Sequence, residues 1–196
     1  MRQPQQRAYM QLASDAFDVA VPMAFVGRFH VDGADAPAAD TTSILALTAL
    51  TAAAQTLTTG ITWPAVSRNV QVVGSAAGIA GNVTVKGTGF DGKAISETLA
   101  LNGTTTVVGN VAFRTITEID LPAYTNGATD EISVGVGDKL GVPFKLGVYE
   151  VLSAWLGGVK EGTAPTVATD VANMENNTIT LNSALDGNDV DVFIVL

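Results

Sequence analysis

The chain has 196 residues, no cysteine, one histidine (His30) and a net charge of −9, which excludes disulfide frameworks, thiol nucleophiles and multi-histidine or cysteine-bearing metal sites. Hydrophobic residues make up 47% and charged residues only 15%, below the usual quarter. With 20 glycines and many Thr, Val and Ala residues, this composition predicts short strands and tight turns, and the acidic balance argues against duplex nucleic acid as a partner.

Residues 1–40 carry no sustained hydrophobic period. The opening stretch is polar, with Pro4 and several glutamines, and has no apolar core of the secretory-signal type. A short apolar piece at 19–26 is interrupted by Pro22, which disfavours a regular helix or central strand there. Gly33, Pro37 and several aspartates then mark a loop. Residues 1–40 are therefore expected to form an extended arm, because a coreless segment of this length is unusual inside a compact domain. Residues 1–30 carry a net charge of +1 and the remainder −10, so the arm is expected to dock on an acidic surface, including a neighbouring copy.

Residues 41–62 combine helical and strand features, and their threonine density favours strand. The alternation of residues 69–73 predicts a strand that ends at Gly74, and residues 82–86 predict another. Asp91-Gly92 reads as a hairpin turn into a strand over 94–101, and Asn102-Gly103 as a second hairpin turn before 104–108. Residues 113–121, 131–136, 149–156, 178–181 and 190–196 complete a series of short strands. The last of these is apolar to its end, which predicts a strand inside a sheet. Strands at eight-to-twelve-residue spacing predict an all-β fold, a single antiparallel β-sandwich of Ig-like or jelly-roll-like type over 41–196 preceded by the arm. No second core is expected. The longest small-and-apolar run is about eleven residues, well short of a helical membrane span, so no membrane is expected as a partner.

Few residues suggest chemistry. His30 and Asp32 would share a face of an extended segment and could orient a general base, but no nucleophile elbow accompanies them. The glycine-rich run 74–81 lacks the Lys-Ser/Thr of a phosphate loop and precedes a strand, so it reads as a turn. Asp186, Asp189 and Asp191 form an oxygen-rich cluster without the order of a calcium loop. The Asn-x-Thr sequons at Asn82, Asn102 and Asn176 read as turn residues. No catalytic, cofactor or metal residues are expected, and the chain is not expected to be an enzyme.

The segments TLTTGITWP at 56–64, RNVQVVG at 68–74, GIAGNVTVKGTG at 78–89, GKAISETLALNG at 92–103, GNVAFRTI at 109–116, EIDLP at 118–122 and GDKLGVP at 137–143 resemble small virion proteins of tailed bacteriophages and prophages, of the head decoration, cement or head-fibre kind. The resemblance implies an oligomerising β-sandwich, with a trimer favoured, made in the bacterial cytoplasm and seated on the outside of a capsid against the major capsid protein. It implies no cofactor. The arm would then supply Arg2, Arg7 and Arg28 for acidic positions, and Met10, Leu12, Phe17, Val21, Met23, Phe25 and Phe29 for apolar burial against capsid or subunit. Rival expectations are a tail or baseplate component, or a carbohydrate-binding adhesive sandwich with an aromatic platform near Trp63, Tyr124 or Trp155.

Overall fold

A computed structural model describes residues 9–14, 17–22, 26–146 and 151–195, with backbone alone for 9–14 and 17–22. The fold is an all-β antiparallel sandwich. The only other regular elements among these residues are 3-10 turns at Gly33–Asp35 and Met174–Asn176, and no helix is long and apolar enough to cross a membrane. The strands are β1 (Tyr9–Ser14), β2 (Phe17–Pro22), β3 (Val26–Val31), β4 (Asp40–Ala49), β5 (Gln55–Leu57), β6 (Arg68–Gly74), β7 (Asn82–Thr88) and β8 (Ala94–Ala100). They continue as β9 (Val107–Phe113), β10 (Thr115–Leu121), β11 (Glu131–Gly141), β12 (Val151–Leu156), β13 (Val159–Lys160), β14 (Thr166–Ala168), β15 (Thr178–Thr180) and β16 (Val190–Val195).

Three sheets build the body. A front sheet runs β5-β10-β7-β8 and a middle sheet β14-β15-β11-β6-β9, with β4 also on β11. A C-terminal sheet runs β13-β12-β16-β3. The last strand thus lies inside its sheet, as its apolar sequence predicts. The ambiguous stretch 41–62 is strand in β4 and β5, where threonines suit a half-covered pleated surface. Asp91-Gly92 joins β7 to β8 in a ladder from Asn82↔Ala100 to Thr88↔Ala94, with Gly92 at φ +77°, where a side chain would be strained.

Asn102-Gly103 turns the chain but makes no hairpin ladder, contrary to expectation. β8 pairs with β7 in the front sheet, whereas β9 pairs with β6 in the middle sheet. The turn's backbone is used by the 74–81 loop instead: Gly103 donates to the Ile79 carbonyl and accepts from Gly74 N–H, each at 2.9 Å. At Arg114 the chain then crosses from the middle sheet into β10 of the front sheet.

The buried apolar side chains form two clusters, where one core was expected. The first fills the space between front and middle sheets, with Val83, Val85, Ile116 and Ile119 facing Ile44, Val70, Val72, Ile132 and Val134. The second lies between the C-terminal sheet and the far end of the middle sheet, with Phe29, Val31, Val190 and Val192 against Leu140 and Ile179. β11 serves both: Val136 belongs to the first cluster and Leu140 to the second. Between them, three residues of β11 (137–139) stand against one of β6 (Asn69), from Val136↔Val70 to Leu140↔Arg68. This bulge leaves backbone groups that need partners. Lys139 N–H donates to Asn69 Oδ1 at 2.9 Å, and Arg68, 1% exposed, donates through Nε to the Gly137 carbonyl at 2.8 Å and through Nη1 to the Pro37 carbonyl at 2.7 Å. A polar joint of buried Arg68 and Asn69 therefore separates the clusters. The sequence lacks a strong sign of this division, because it occurs inside one continuous strand.

Residues 26–40, expected within the extended arm, belong to the body. β3 pairs with β16 over six residues, from Val26↔Val195 to Val31↔Val190. Phe29, Val31 and Ala36 are buried in the second cluster, and Gly33 N–H donates to Asp189 Oδ1 at 2.7 Å. What precedes is a hairpin, β1 against β2, with register Tyr9↔Pro22 to Ser14↔Phe17. Among the described residues neither strand pairs with the body.

Candidate functional site

The outer face of the C-terminal sheet is the clearest candidate surface. Strand alternation sends Phe29, Val31, Val190, Val192 and Ile194 inward. The intervening residues face out, and the register places His30 opposite Asp191, Arg28 opposite Phe193 and Val26 opposite Val195. On the other flank of β16, Ser153 pairs with Phe193 and Trp155 with Asp191. A break in that ladder between Val151 and Ser153 brings Leu152 to the surface. Val26, Leu152, Ser153, Trp155, Gly158, Asp191 and Phe193 line an open, mainly apolar groove of about 530 Å³. Val26 and Leu152 are 59% and 58% exposed. Single exposed apolar residues are ordinary, whereas several lining one depression mark a contact surface. The indole N–H of Trp155 donates to Ser153 Oγ at 3.3 Å, which satisfies the ring's polar atom within the groove.

The face beside the groove is charged and internally neutralised, and Asp191 belongs to both. Arg28 Nε donates to Asp191 Oδ1 at 2.6 Å. His30 Nδ1 lies 2.8 Å from that same oxygen, and Nε2 lies 3.1 Å from Asp32 Oδ1. The imidazolium form donates to both carboxylates at once. The hydrogen bond to Asp191, then the one to Asp32, raises the His30 pKa above its ordinary value. Arg28 and His30 hold the Asp191 carboxyl below the usual range, with the Arg28 hydrogen bond as the largest cause. Asp32 and His30 thus meet as their spacing suggests. Asp191, more than 150 residues away, supplies the other partner. Both ring nitrogens are engaged by carboxylates, so the group acts as an ionic clasp between β3 and β16.

The expected arm residues separate into three groups. Arg2, Arg7, Met23 and Phe25 lie outside the described residues. Met10, Leu12, Phe17 and Val21 lie on the hairpin strands β1 and β2. Arg28 and Phe29 belong to the body: Phe29 is a core residue, 9% exposed, and so is not a contact for another molecule, while Arg28 is paired with Asp191 within its own chain. Phe29 alternates with outward neighbours on a strand whose inner face is covered by the second cluster. Nothing local in the sequence distinguishes that covered face from a free one.

The remaining motifs take structural roles. Asp186 accepts from Asn188 N–H and Nδ2 within its own turn, Asp189 accepts from Gly33, and Asp191 joins the clasp. Among the described residues no group of three or more acidic or histidine side chains is arranged to hold a metal ion. Asn176 donates to Asp170 at 2.8 Å, and that bond leads a set that holds the Asp170 carboxyl far below the ordinary range. Trp63 and Trp155 line separate depressions, and Tyr124 packs against the first cluster, so the three form no common platform. The residues missed in the sequence were Asp191, Trp155 and Phe193 acting together. Each sits in a recognisable strand, but only the β12-β16-β3 order brings them onto one face. No protein-family model matches the chain, and neither does any curated protein or solved structure.

Proposed function

We propose that this chain is a structural virion subunit of the head decoration or cement type. It attaches to the outer surface of a capsid, against the major capsid protein, and strengthens the shell through buried area. The observation that carries this reading is the apolar groove on the outer face of the C-terminal sheet, bordered by a charge cluster that is already neutralised within the chain. Burying Val26, Leu152, Trp155 and Phe193 removes apolar surface from water, at roughly 25 cal/mol per Å². The Arg28–Asp191–His30 clasp next to it fixes the rim without leaving an unpaired charge to desolvate. The virion resemblance of residues 41–196 supports the same reading, as does the hairpin leader ahead of the body. No step of this function requires a cofactor.

The test is co-sedimentation of the full chain with undecorated heads. Binding by the native chain and loss of binding on Leu152→Glu, a substitution at an exposed position, is the expected result. Equal sedimentation of both proteins refutes the groove as the contact. A second reading, a carbohydrate-binding sandwich, is favoured by one observation: Trp155 shares its groove with the polar side chains of Ser153 and Asp191. A glycan-array signal lost on Trp155→Ala, without head binding, would select it.

A further inference from the structure

We propose that Asn126 is a site of spontaneous covalent modification: its side-chain amide is lost to give aspartate and isoaspartate, which loosens the corner between the front and middle sheets. The chemistry favours a glycine after the asparagine, because a residue without Cβ leaves the next backbone nitrogen open to the side chain. That nitrogen attacks the side-chain carbonyl carbon. A C–N bond forms to it, the bond to the amide nitrogen breaks, and ammonia leaves with the proton given up by the backbone. Water then opens the cyclic imide at either carbonyl, giving aspartate or isoaspartate. Asp-Gly pairs take the same route with loss of water. Because the attacking nitrogen must give up its proton, a glycine N–H already donated to an acceptor is held back from the reaction.

Five such pairs occur in the chain, beginning at Asp32, Asp91, Asn102, Asn126 and Asp186. Four of the glycine N–H groups are engaged. Gly33 donates to Asp189 Oδ1 at 2.7 Å. Gly92 donates to the Gly89 carbonyl at 3.1 Å, Gly103 to the Ile79 carbonyl at 2.9 Å and Gly187 to the Ala36 carbonyl at 3.1 Å. Gly127 alone of the five donates to no acceptor among the described residues. It lies in the turn between β10 and β11, at φ +136°, with no atom within 4 Å of where a Cβ would stand. Asn102 and Asn126 are both exposed, so access of water does not separate the two asparagines. The engaged nitrogen of Gly103 does.

The turn that carries Asn126 is tied to its surroundings by few bonds. Asp130, 1% exposed, accepts from Thr125 N–H at 2.9 Å and Asn126 N–H at 2.8 Å. The Thr125 hydroxyl accepts from Ala80 N–H at 3.1 Å, and the Asn126 amide rests against Gly78. Conversion sets a second carboxylate beside Asp130, where like charges repel, and isoaspartate lengthens the main chain by one carbon inside the turn. Both changes pull the turn from the 74–81 loop, so the modification acts as a one-way clock on this corner.

The test uses the isolated full chain and does not depend on capsid binding. The native protein is held in mildly alkaline buffer made with heavy-oxygen water, then digested with trypsin in ordinary water. Asn102 falls in the peptide 94–114 and Asn126 in 115–139, so label uptake at each is read separately by fragment mass. A parallel sample is held in urea. Uptake at Asn126 is expected to be at least about tenfold faster than at Asn102 in the native chain, the factor set by releasing one backbone hydrogen bond. The two rates are expected to converge in urea. In the converted protein, Ala80 N–H is expected to exchange faster with solvent. Equal native rates, faster uptake at Asn102, the same ratio in urea as in the native chain, or unaltered exchange at Ala80 would each overturn the proposal.

Discussion

Removing the guanidinium of Arg68 tests the polar joint between the two clusters. Arg68 is 1% exposed and holds the Gly137 and Pro37 carbonyls, and its Nη2 lies 3.6 Å from Asp138 Oδ1. That oxygen is buried and has no hydrogen-bond partner, so the guanidinium is its nearest compensation. Burial lowers the Arg68 pKa and the Asp138 charge opposes that shift. Arg68→Ala leaves two carbonyls without their donor, at about 1–3 kcal/mol each. The loss of attraction to Asp138 adds less, because that side chain is 34% exposed and water screens it. The expected cost is about 3–5 kcal/mol, in the range for breaking one side of a buried ionic contact. At about 2–4 °C per kcal/mol for a protein of this size, the melting temperature falls by roughly 6–20 °C. Arg68→Met keeps most of the side-chain volume and isolates the polar part, with an expected loss of about 2–4 kcal/mol. Urea denaturation followed by tryptophan fluorescence measures both. A loss below about 1 kcal/mol in both variants would show that the carbonyls find other partners and that the joint has been misread.

Three further outcomes are expected. A Cβ at Gly135 would lie 1.7 Å from the Asp40 carbonyl oxygen, so Gly135→Ala must push β4 off β11 and should cost about 3 kcal/mol in chemical denaturation. Asn177, fully buried, accepts from Leu146 N–H and Asp170 N–H and donates to the carbonyls of Asp170 and Asn173; Asn177→Leu should cost about 3 kcal/mol, and native-state hydrogen exchange should show the 170–177 segment opening first. The raised pKa of His30 means that its contribution to stability is complete below the unfolded value of about 6.5 and is lost as pH rises through the folded value. Urea midpoints across that window should decline in the native chain and flatten in His30→Gln; parallel curves would contradict the clasp.

Local signals in the sequence were reliable guides to local structure. Alternation at 82–86 and 190–195 marked strands with period-two burial, and Asp91-Gly92 marked a true hairpin, because such burial and left-handed turn geometry are decided within a few residues; residues 69–73 also form a strand, but β6 is covered on both faces. Sheet membership is decided elsewhere. Asn102-Gly103 has the same hairpin chemistry, yet its flanking strands join different sheets, since the turn backbone is bound to Gly74 and Ile79. The segment 26–31 looked like part of an arm because Pro22 and the polar start dominate its surroundings. Its partner is β16 at the other end of the chain, and no local pattern encodes that pairing. The groove was hidden for the same reason: Val26, Leu152 and Phe193 become neighbours only through the β12-β16-β3 order. The buried Arg68 was invisible as well, because a lone arginine ahead of a strand ordinarily marks a solvated edge.

The proposed function, strengthening a shell through contact area, has a direct thermal test. Scanning calorimetry of undecorated heads, alone and saturated with the full chain, measures this directly. A higher shell-opening temperature is expected, returning to the undecorated value when Leu152→Glu replaces the native chain. An opening temperature unchanged at saturating protein would contradict it.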